Sequence, residues 1–149
     1  MPLTRARALL RARYGWEQGT VPFSKTAFHE GDGYRTDAPG YLSMCWDIPL
    51  HARGSWGGLN TVSMEVDGWA YEIKPTELKV GDAIGLLGQG SVGPDGGTII
   101  FFEEWLNNDP NLGYAVCWQM LPGSLGPVRR ARPFEKHTWH SYRFRDIID

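Results

Sequence analysis

The sequence predicts an α+β fold in a single domain, residues 1–149, and three observations predict it. Two capped helical patterns lie before residue 47. From Asn60 onward, short strand-like runs alternate with turns rich in Gly, Pro and Asn. The chain of 149 residues is long enough to bury roughly two-thirds of its unfolded surface. We therefore expect N-terminal helices packed on an antiparallel β-sheet.

The first predicted helix covers Leu3 to Tyr14, with Thr4 as its cap. Arginines occupy one side of it, so we expect the other side to face the core. The apolar or small residues on that other side are Ala6, Leu9, Leu10 and Tyr14. The following segment, Trp16–Tyr34, contains aromatic residues and glycines and is predicted to be a loop.

The second predicted helix begins after Thr36 or Asp37, either of which is a good cap. Pro39 falls in the first turn, where its missing N–H costs nothing. The helix should end at about Trp46, before Pro49. Its shared face is made of Ala38, Tyr41, Leu42 and Cys45.

The predicted strands are Asn60–Val66, Ala83–Leu87, Thr98–Phe102, Tyr114–Met120 and Tyr142–Ile148. The turn "NNDPNLG" should join two of them in an antiparallel hairpin. Strand periodicity places Thr98, Ile100 and Phe102 on one side. Ile99, Phe101 and Glu103 then lie on the other.

The formal net charge of −2 gives no reason to expect a nucleic-acid or membrane partner, and no apolar run approaches the roughly 18 residues of a membrane span. Arginines interrupt the short apolar stretch at the N-terminus, so no secretory signal is predicted and a cytoplasmic location is expected. The C-terminal arginines are expected to form a solvated face. They are Arg129, Arg130, Arg132, Arg143 and Arg145.

No metal or other cofactor is expected. His137 and His140 have a spacing that can chelate a metal, but no carboxylate or thiol is fixed beside them by spacing, which favours a surface pair. The two cysteines, Cys45 and Cys117, each lie in an apolar run. They are expected to be buried, reduced thiols.

Five separated blocks of the sequence are "DGYRTDAPGYLSMCWDIP", "GGLNTVSM", "LKVGDAIG", "GGTIIFFEEW" and "YRFRDIID". Together they resemble the NlpC/P60 cysteine hydrolases, in particular the compact actinobacterial-type members with a "YRTDCSGYVSMAW"-like box. The resemblance covers nearly the whole chain with the blocks in order. It implies a papain-like fold in which the nucleophile begins a helix that faces an antiparallel sheet.

The residues that carry the chemistry of that family are replaced here. Its Asp-Cys-Ser-Gly box reads Asp37-Ala38-Pro39-Gly40, and the position of its histidine is taken by Thr98. Alanine supplies no nucleophile, and a threonine hydroxyl is no base near neutral pH. The third, orienting position should lie near Trp118 and Gln119. The chain is therefore not predicted to be a standard cysteine peptidase.

The former groove should survive as a pocket for a small molecule or a peptide. Its candidate wall residues are Ala38, Pro39, Thr98, Ile100, Trp118, His29 and Tyr34. The candidate acid/base residues are Tyr41, Glu103, Glu104 and Asp37. Asp37 has the competing role of a helix cap. A carboxylic acid beside aromatic surface can have a raised pKa, which makes Glu103 or Glu104 a possible acid or base.

Three hypotheses follow. The first is a repurposed enzyme acting on a small organic molecule without thiol chemistry, by a cyclase, isomerase or lyase-type step such as occurs in natural-product biosynthesis. The second is a catalytically dead pseudoenzyme that binds a peptide, a cell-wall fragment or a protein partner. The third is a hydrolase with relocated residues, although Cys45 lies about 10 Å along the helix from Ala38. A closed apolar pocket would favour the first hypothesis, and an open polar groove the second.

Overall fold

The computed structural model describes residues 2–54, 56–87, 99–134 and 139–149, and it confirms the α+β prediction. The helices are α1 (Arg5–Tyr14), α2 (Ala38–Cys45) and α3 (Thr61–Val66). The strands are β1 (Leu3–Thr4), β2 (Ala70–Ile73), β3 (Ala83–Gly85), β4 (Ile99–Trp105), β5 (Tyr114–Gln119), β6 (Val128–Pro133), β7 (His140–Phe144) and β8 (Ile147–Ile148). Within the described ranges, none of the helices combines the length and the apolar character that crossing a bilayer requires.

Six strands form one antiparallel sheet in the order β2-β7-β3-β4-β5-β6, while β1 and β8 pair in parallel beside it. The predicted hairpin is confirmed as β4–β5, with Phe101 opposite Trp118 and a bulge between Phe102 and Glu104. The predicted last strand is divided into β7 and β8. Strands β1, β2 and β6 were not predicted from the sequence.

The turn between β4 and β5 explains why the hairpin was predictable. Asn107 and Asn108 have φ values of 55°, and Gly113 has a φ of 73°. Asparagine and glycine enter this left-handed region at the lowest cost, so the "NNDPNLG" stretch suits the reversal of the chain.

Helix α1 forms as predicted, but of the four residues expected on its buried face only Leu9 packs against the core, and the other three are exposed. Thr4 caps it, because its hydroxyl accepts a hydrogen bond from the Arg7 N–H at 3.1 Å. Ala8 and Ala12 are fully buried, whereas Leu10 is 57% exposed and Tyr14 is 75% exposed. The buried face packs on α2. Close approach of two helices favours methyl side chains, so the largest apolar residues of α1 do not mark its inner face.

The segment Asn60–Val66 was predicted as a strand, but it forms helix α3 with Asn60 as its cap, so that prediction was wrong. The Asn60 side chain accepts a hydrogen bond from the Ser63 N–H at 2.8 Å. Thr61 and Met64 are the buried residues, at the i, i+3 spacing of a helix. The cap therefore outweighs the strand propensity of Thr61 and Val62.

The sheet buries side chains on both of its faces. Ile99 and Phe101 of β4 belong to the core shared with α1 and α2, whereas Ile100 and Phe102 belong to a second core on the opposite face. The predicted alternation along this strand is therefore confirmed for the described residues. Residues 39–45 of α2 are all buried, so this helix is enclosed between α1 and the sheet.

A buried ion cluster connects helix α1 to strand β7. The Asp82 carboxylate is fully buried and accepts hydrogen bonds from Arg5, from two nitrogens of Arg143 and from the Lys79 N–H, at 2.9 to 3.0 Å. We call these four residues the Asp82 cluster. Arg143 therefore does not lie on a solvated basic face, because its guanidinium is the charge partner of a buried carboxylate.

Candidate functional site

The position expected to carry a nucleophile is occupied by Ala38, the first residue of α2, and the residue before it is fully engaged. One oxygen of the Asp37 carboxylate accepts from the Gly40 N–H at 2.8 Å, and the other accepts from Arg35 Nε at 2.7 Å. Asp37 is thus a helix cap held by a cation. Pro39 occupies the first turn and is buried. This end of α2 has a structural role.

Tyr41 joins the two long helices. Its hydroxyl donates a hydrogen bond to the Ala12 carbonyl at 2.7 Å, and its ring lies against Trp16. Complete burial raises its pKa well above the usual range. The hydroxyl is therefore a neutral donor that fixes α1 on α2 and is already used inside the core.

Glu103 lies on the helical side of the bulge in β4, where four donors surround its carboxylate. Trp118 Nε1 donates at 2.8 Å, Arg129 donates twice at 3.1 and 2.9 Å, and Arg13 donates at 3.2 Å. The Arg129 hydrogen bonds hold the pKa of Glu103 below its usual range, outweighing the effect of burial. The carboxylate is kept ionised, opposite to the raised pKa expected from aromatic neighbours. Glu104 is half-exposed, 3.6 Å from Arg129.

The remaining pocket candidates are not gathered around Ala38. Ile100 is fully buried on the face of the sheet opposite to α2. Thr98 lies outside the described residues. Trp118 shares the helical core with Ala38, but its indole N–H is committed to Glu103.

Both thiols are buried. Burial raises the pKa of the Cys45 thiol far above its usual range, and it raises that of Cys117 to about 12. A reactive cysteine needs the opposite shift, toward the thiolate. The expectation of buried thiols is confirmed, and the surroundings of Cys45 do not suit a relocated nucleophile.

The structure places a cavity of about 1050 Å³ in the segment that connects α1 to α2. Its wall consists of residues from Arg13 to Thr36, and we call it the 13–36 cavity. The exposed rings of Tyr14 and Phe28 stand at its wall, so the cavity is open to solvent. Arg13 also contacts Glu103, which links this cavity to the ion pairs on the sheet.

The connecting segment is predicted as a loop and is one, but many contacts fix it. The Gly19 and Val21 N–H groups both donate to the Leu125 carbonyl, and the Phe23 N–H donates to Ser124. These bonds attach one side of the cavity to the turn that follows β5. The wall is irregular in backbone and still well anchored.

Of the residues predicted for the site, His29 and Tyr34 lie in this segment, and only His29 lines the cavity. The Tyr34 hydroxyl donates to the Ile48 carbonyl and belongs to the core. Arg13 and Trp16 of the wall were not predicted from the sequence, and neither was Asp32, which contacts His29. The spacing of three residues between His29 and Asp32 was the one available signal, because side chains at that separation meet across a tight turn.

No group of three or more potential metal ligands occurs among the residues that the structure describes. Of the pair predicted to lie at the surface, His137 is outside the described residues. His140 lies on β7, with its Nδ1 2.6 Å from a Glu72 carboxylate oxygen.

In comparisons with known proteins, no family model, no curated protein and no solved structure matches this chain.

Proposed function

We propose that this chain binds a small organic molecule or a peptide in the 13–36 cavity and works without covalent thiol chemistry. The observation that carries the proposal is the cavity itself, whose volume of about 1050 Å³ suits an organic ligand. Aromatic rings and polar side chains share its wall. Such a wall offers apolar contact together with a few oriented hydrogen-bonding groups.

We also propose an NlpC/P60-like, papain-type ancestry. The order of the five sequence blocks supports it, and so does the packing of α2, which begins at Ala38, against the sheet. Ala38 at the former nucleophile position and the burial of both cysteines support the absence of thiol catalysis. An open cavity favours the binding hypothesis, in which the ligand is a peptide, a cell-wall fragment or part of a protein partner.

A second candidate function is an enzyme acting on a small organic molecule by a cyclase, isomerase or lyase-type step. The side chains of Asp37, Tyr41 and Glu103 all make hydrogen bonds within the fold. An enzyme of this kind would therefore need another acid/base group. The observation that favours it is the presence of His29 in the cavity wall, in contact with a carboxylate.

Binding is tested by ligand-observed NMR with a library of planar aromatic fragments and short peptides. Ala27 lines the cavity, and Ala27→Trp should fill it. The matched control is Ala131→Trp on the exposed edge strand β6, away from the cavity. We expect ligands of the wild-type protein to lose at least about tenfold in affinity in Ala27→Trp, a cost of about 1.4 kcal/mol, and none in Ala131→Trp. Ligands that bind both variants equally would refute the cavity as the site.

A further inference from the structure

A tight turn holds Asp32 against His29, which lies in the wall of the cavity. Phe28 pairs with Arg35 across the base of the turn, and the His29 N–H donates to the Tyr34 carbonyl at 2.7 Å. Inside the turn, His29 Nδ1 lies 3.0 Å from one Asp32 carboxylate oxygen. The pair is therefore fixed by the backbone of its own turn.

The core fixes the same carboxylate a second time. The buried Trp16 indole donates its N–H to the other Asp32 oxygen at 2.8 Å, and the Tyr34 N–H donates to the first oxygen at 3.0 Å. The Trp16 ring also stacks on the His29 ring, with centroids 5.3 Å apart and an interplanar angle of 24°. Both members of the pair are thus oriented by one core residue.

This arrangement decides which nitrogen of His29 carries the proton. An ionised carboxylate only accepts hydrogen bonds, so Nδ1 must be the donor and the lone pair of neutral imidazole lies on Nε2. The imidazole ring of His29 makes no further hydrogen bond within the described part of the chain.

We propose that His29 is a catalytic base for proton transfer, with Asp32 as its positioning residue, and that the substrate is a small organic molecule with an acidic C–H. The inference rests on ligand binding in the 13–36 cavity. Nε2 takes the proton, the C–H electron pair forms a new π bond, and the bond to the leaving atom breaks with its electrons. The proton then passes from Nε2 to that atom or to water, so no oxidant or reductant is needed.

The chain offers a matched control for this pair. His140 also has its Nδ1 beside a carboxylate, that of Glu72, at 2.6 Å. Both side chains are about half-exposed on the sheet, and neither lines the 13–36 cavity. Comparing the two pairs separates the effect of the cavity from that of a histidine–carboxylate contact alone.

The test uses the ring opening of nitrobenzisoxazole, in which a base removes the C–H proton, the N–O bond breaks and a coloured cyanophenolate forms. We expect wild-type protein to exceed the same concentration of free imidazole by about 100-fold or more, the usual size of general-base catalysis. His29→Gln should lose that advantage, and His140→Gln should keep it. A wild-type rate equal to that of imidazole, or an unchanged rate in His29→Gln, overturns the proposal.

Binding is measured separately with the same probe, through quenching of tryptophan fluorescence. One outcome is that the probe binds saturably, that Ala27→Trp abolishes this binding, and that the rate is the same in wild type and His29→Gln. This outcome would refute His29 as the base and would still support the cavity as the ligand site. Absence of saturable binding would count against the cavity as a site for planar aromatic molecules, and against the base with it. Urea unfolding of each variant shows whether a lost rate reflects lost structure.

The positioning role of Asp32 is tested through the ring ¹⁵N chemical shifts of His29, which report the tautomer of the ring and not the stability of the fold. Alanine at this position removes the oxygen that accepts from Nδ1–H and so leaves the imidazole tautomer unfixed. In Asp32→Ala we expect the ring ¹⁵N shifts of His29 to move away from the Nδ1–H pattern, with a rate loss of at least about tenfold. Unchanged shifts would show that Asp32 does not position the ring.

Discussion

Replacing Asp82 by asparagine should be among the most damaging conservative changes in this protein. The carboxylate has no exposed surface, and its partners Arg5 and Arg143 are only 11% and 17% exposed. Three of its four hydrogen bonds come from these cations. Asparagine keeps the shape but removes the charge, which leaves two guanidinium groups in a largely buried place. Loss of one partner from such a site costs about 3–5 kcal/mol.

The rest of the cluster limits this loss. Arg5 also donates to the Val80 carbonyl at 2.8 Å, and Arg143 donates to the Glu77 carbonyl at 2.7 Å. These bonds remain in the variant, so we expect about 3 kcal/mol, the lower end of the range. A domain of this size is usually stable by about 5–15 kcal/mol, so the variant should fold with a clearly lower midpoint.

Urea unfolding, followed by circular dichroism and tryptophan fluorescence, measures the effect. The control is Asp149→Asn, because the exposed Asp149 contacts Arg5 and Lys79 from the solvent side and its loss should leave the midpoint unchanged. A loss below about 1 kcal/mol in Asp82→Asn, with an unchanged m-value, would show that the two arginines do not depend on this carboxylate.

Three further predictions concern the site and its surroundings. Glu103→Gln should lower the free energy of unfolding at neutral pH. Because the pKa of Glu103 is depressed in the folded protein, its stabilising contribution is present above the ordinary glutamate pKa and is lost as the pH falls through the folded pKa. Urea unfolding at a series of pH values should therefore show the stabilities of wild type and variant converging in acid. Gly40→Ala should lower the free energy of unfolding by about 1–3 kcal/mol or more, seen as a lower thermal midpoint, because a Cβ there would lie 1.9 Å from the Arg35 carbonyl oxygen. An unchanged midpoint would mean that the backbone at the start of α2 shifts at little cost. Cys45 and Cys117 should not react with Ellman's reagent in the native protein and should both react after unfolding, because burial raises the pKa of each thiol. Rapid labelling of either cysteine in the native protein would support a thiol mechanism.

The elements that were predicted correctly are those whose ends contain capping or turn residues. Thr4 and Asp37 cap α1 and α2, and the asparagines before β5 turn the hairpin, so these elements could be read from short stretches. Asn60 carried the same kind of signal for α3 but was read as the start of a strand. The exposed, arginine-rich β6 has no alternating pattern to reveal it.

The site was harder to predict because its properties come from tertiary contacts. Glu103 stands among aromatic residues in the sequence, yet Arg13 from α1 and Arg129 from β6 determine its charge. His29 was predicted as a pocket residue, but its partner Asp32 was not, because only the folded chain brings Trp16 into contact with both side chains. The α1 face was misjudged for a related reason: its burial follows from the closeness of α2, which residue size does not encode.

The close contact between α1 and α2 has a consequence for how this protein can change. Ala8 and Ala12 are fully buried and the Tyr41 hydroxyl bonds to the Ala12 carbonyl, so larger side chains in place of the two alanines would meet a packed core and the junction tolerates little variation. The segment that spans the helices carries the cavity without regular secondary structure of its own. Evolution could therefore reshape ligand preference one side chain at a time while the frame on either side stays constant.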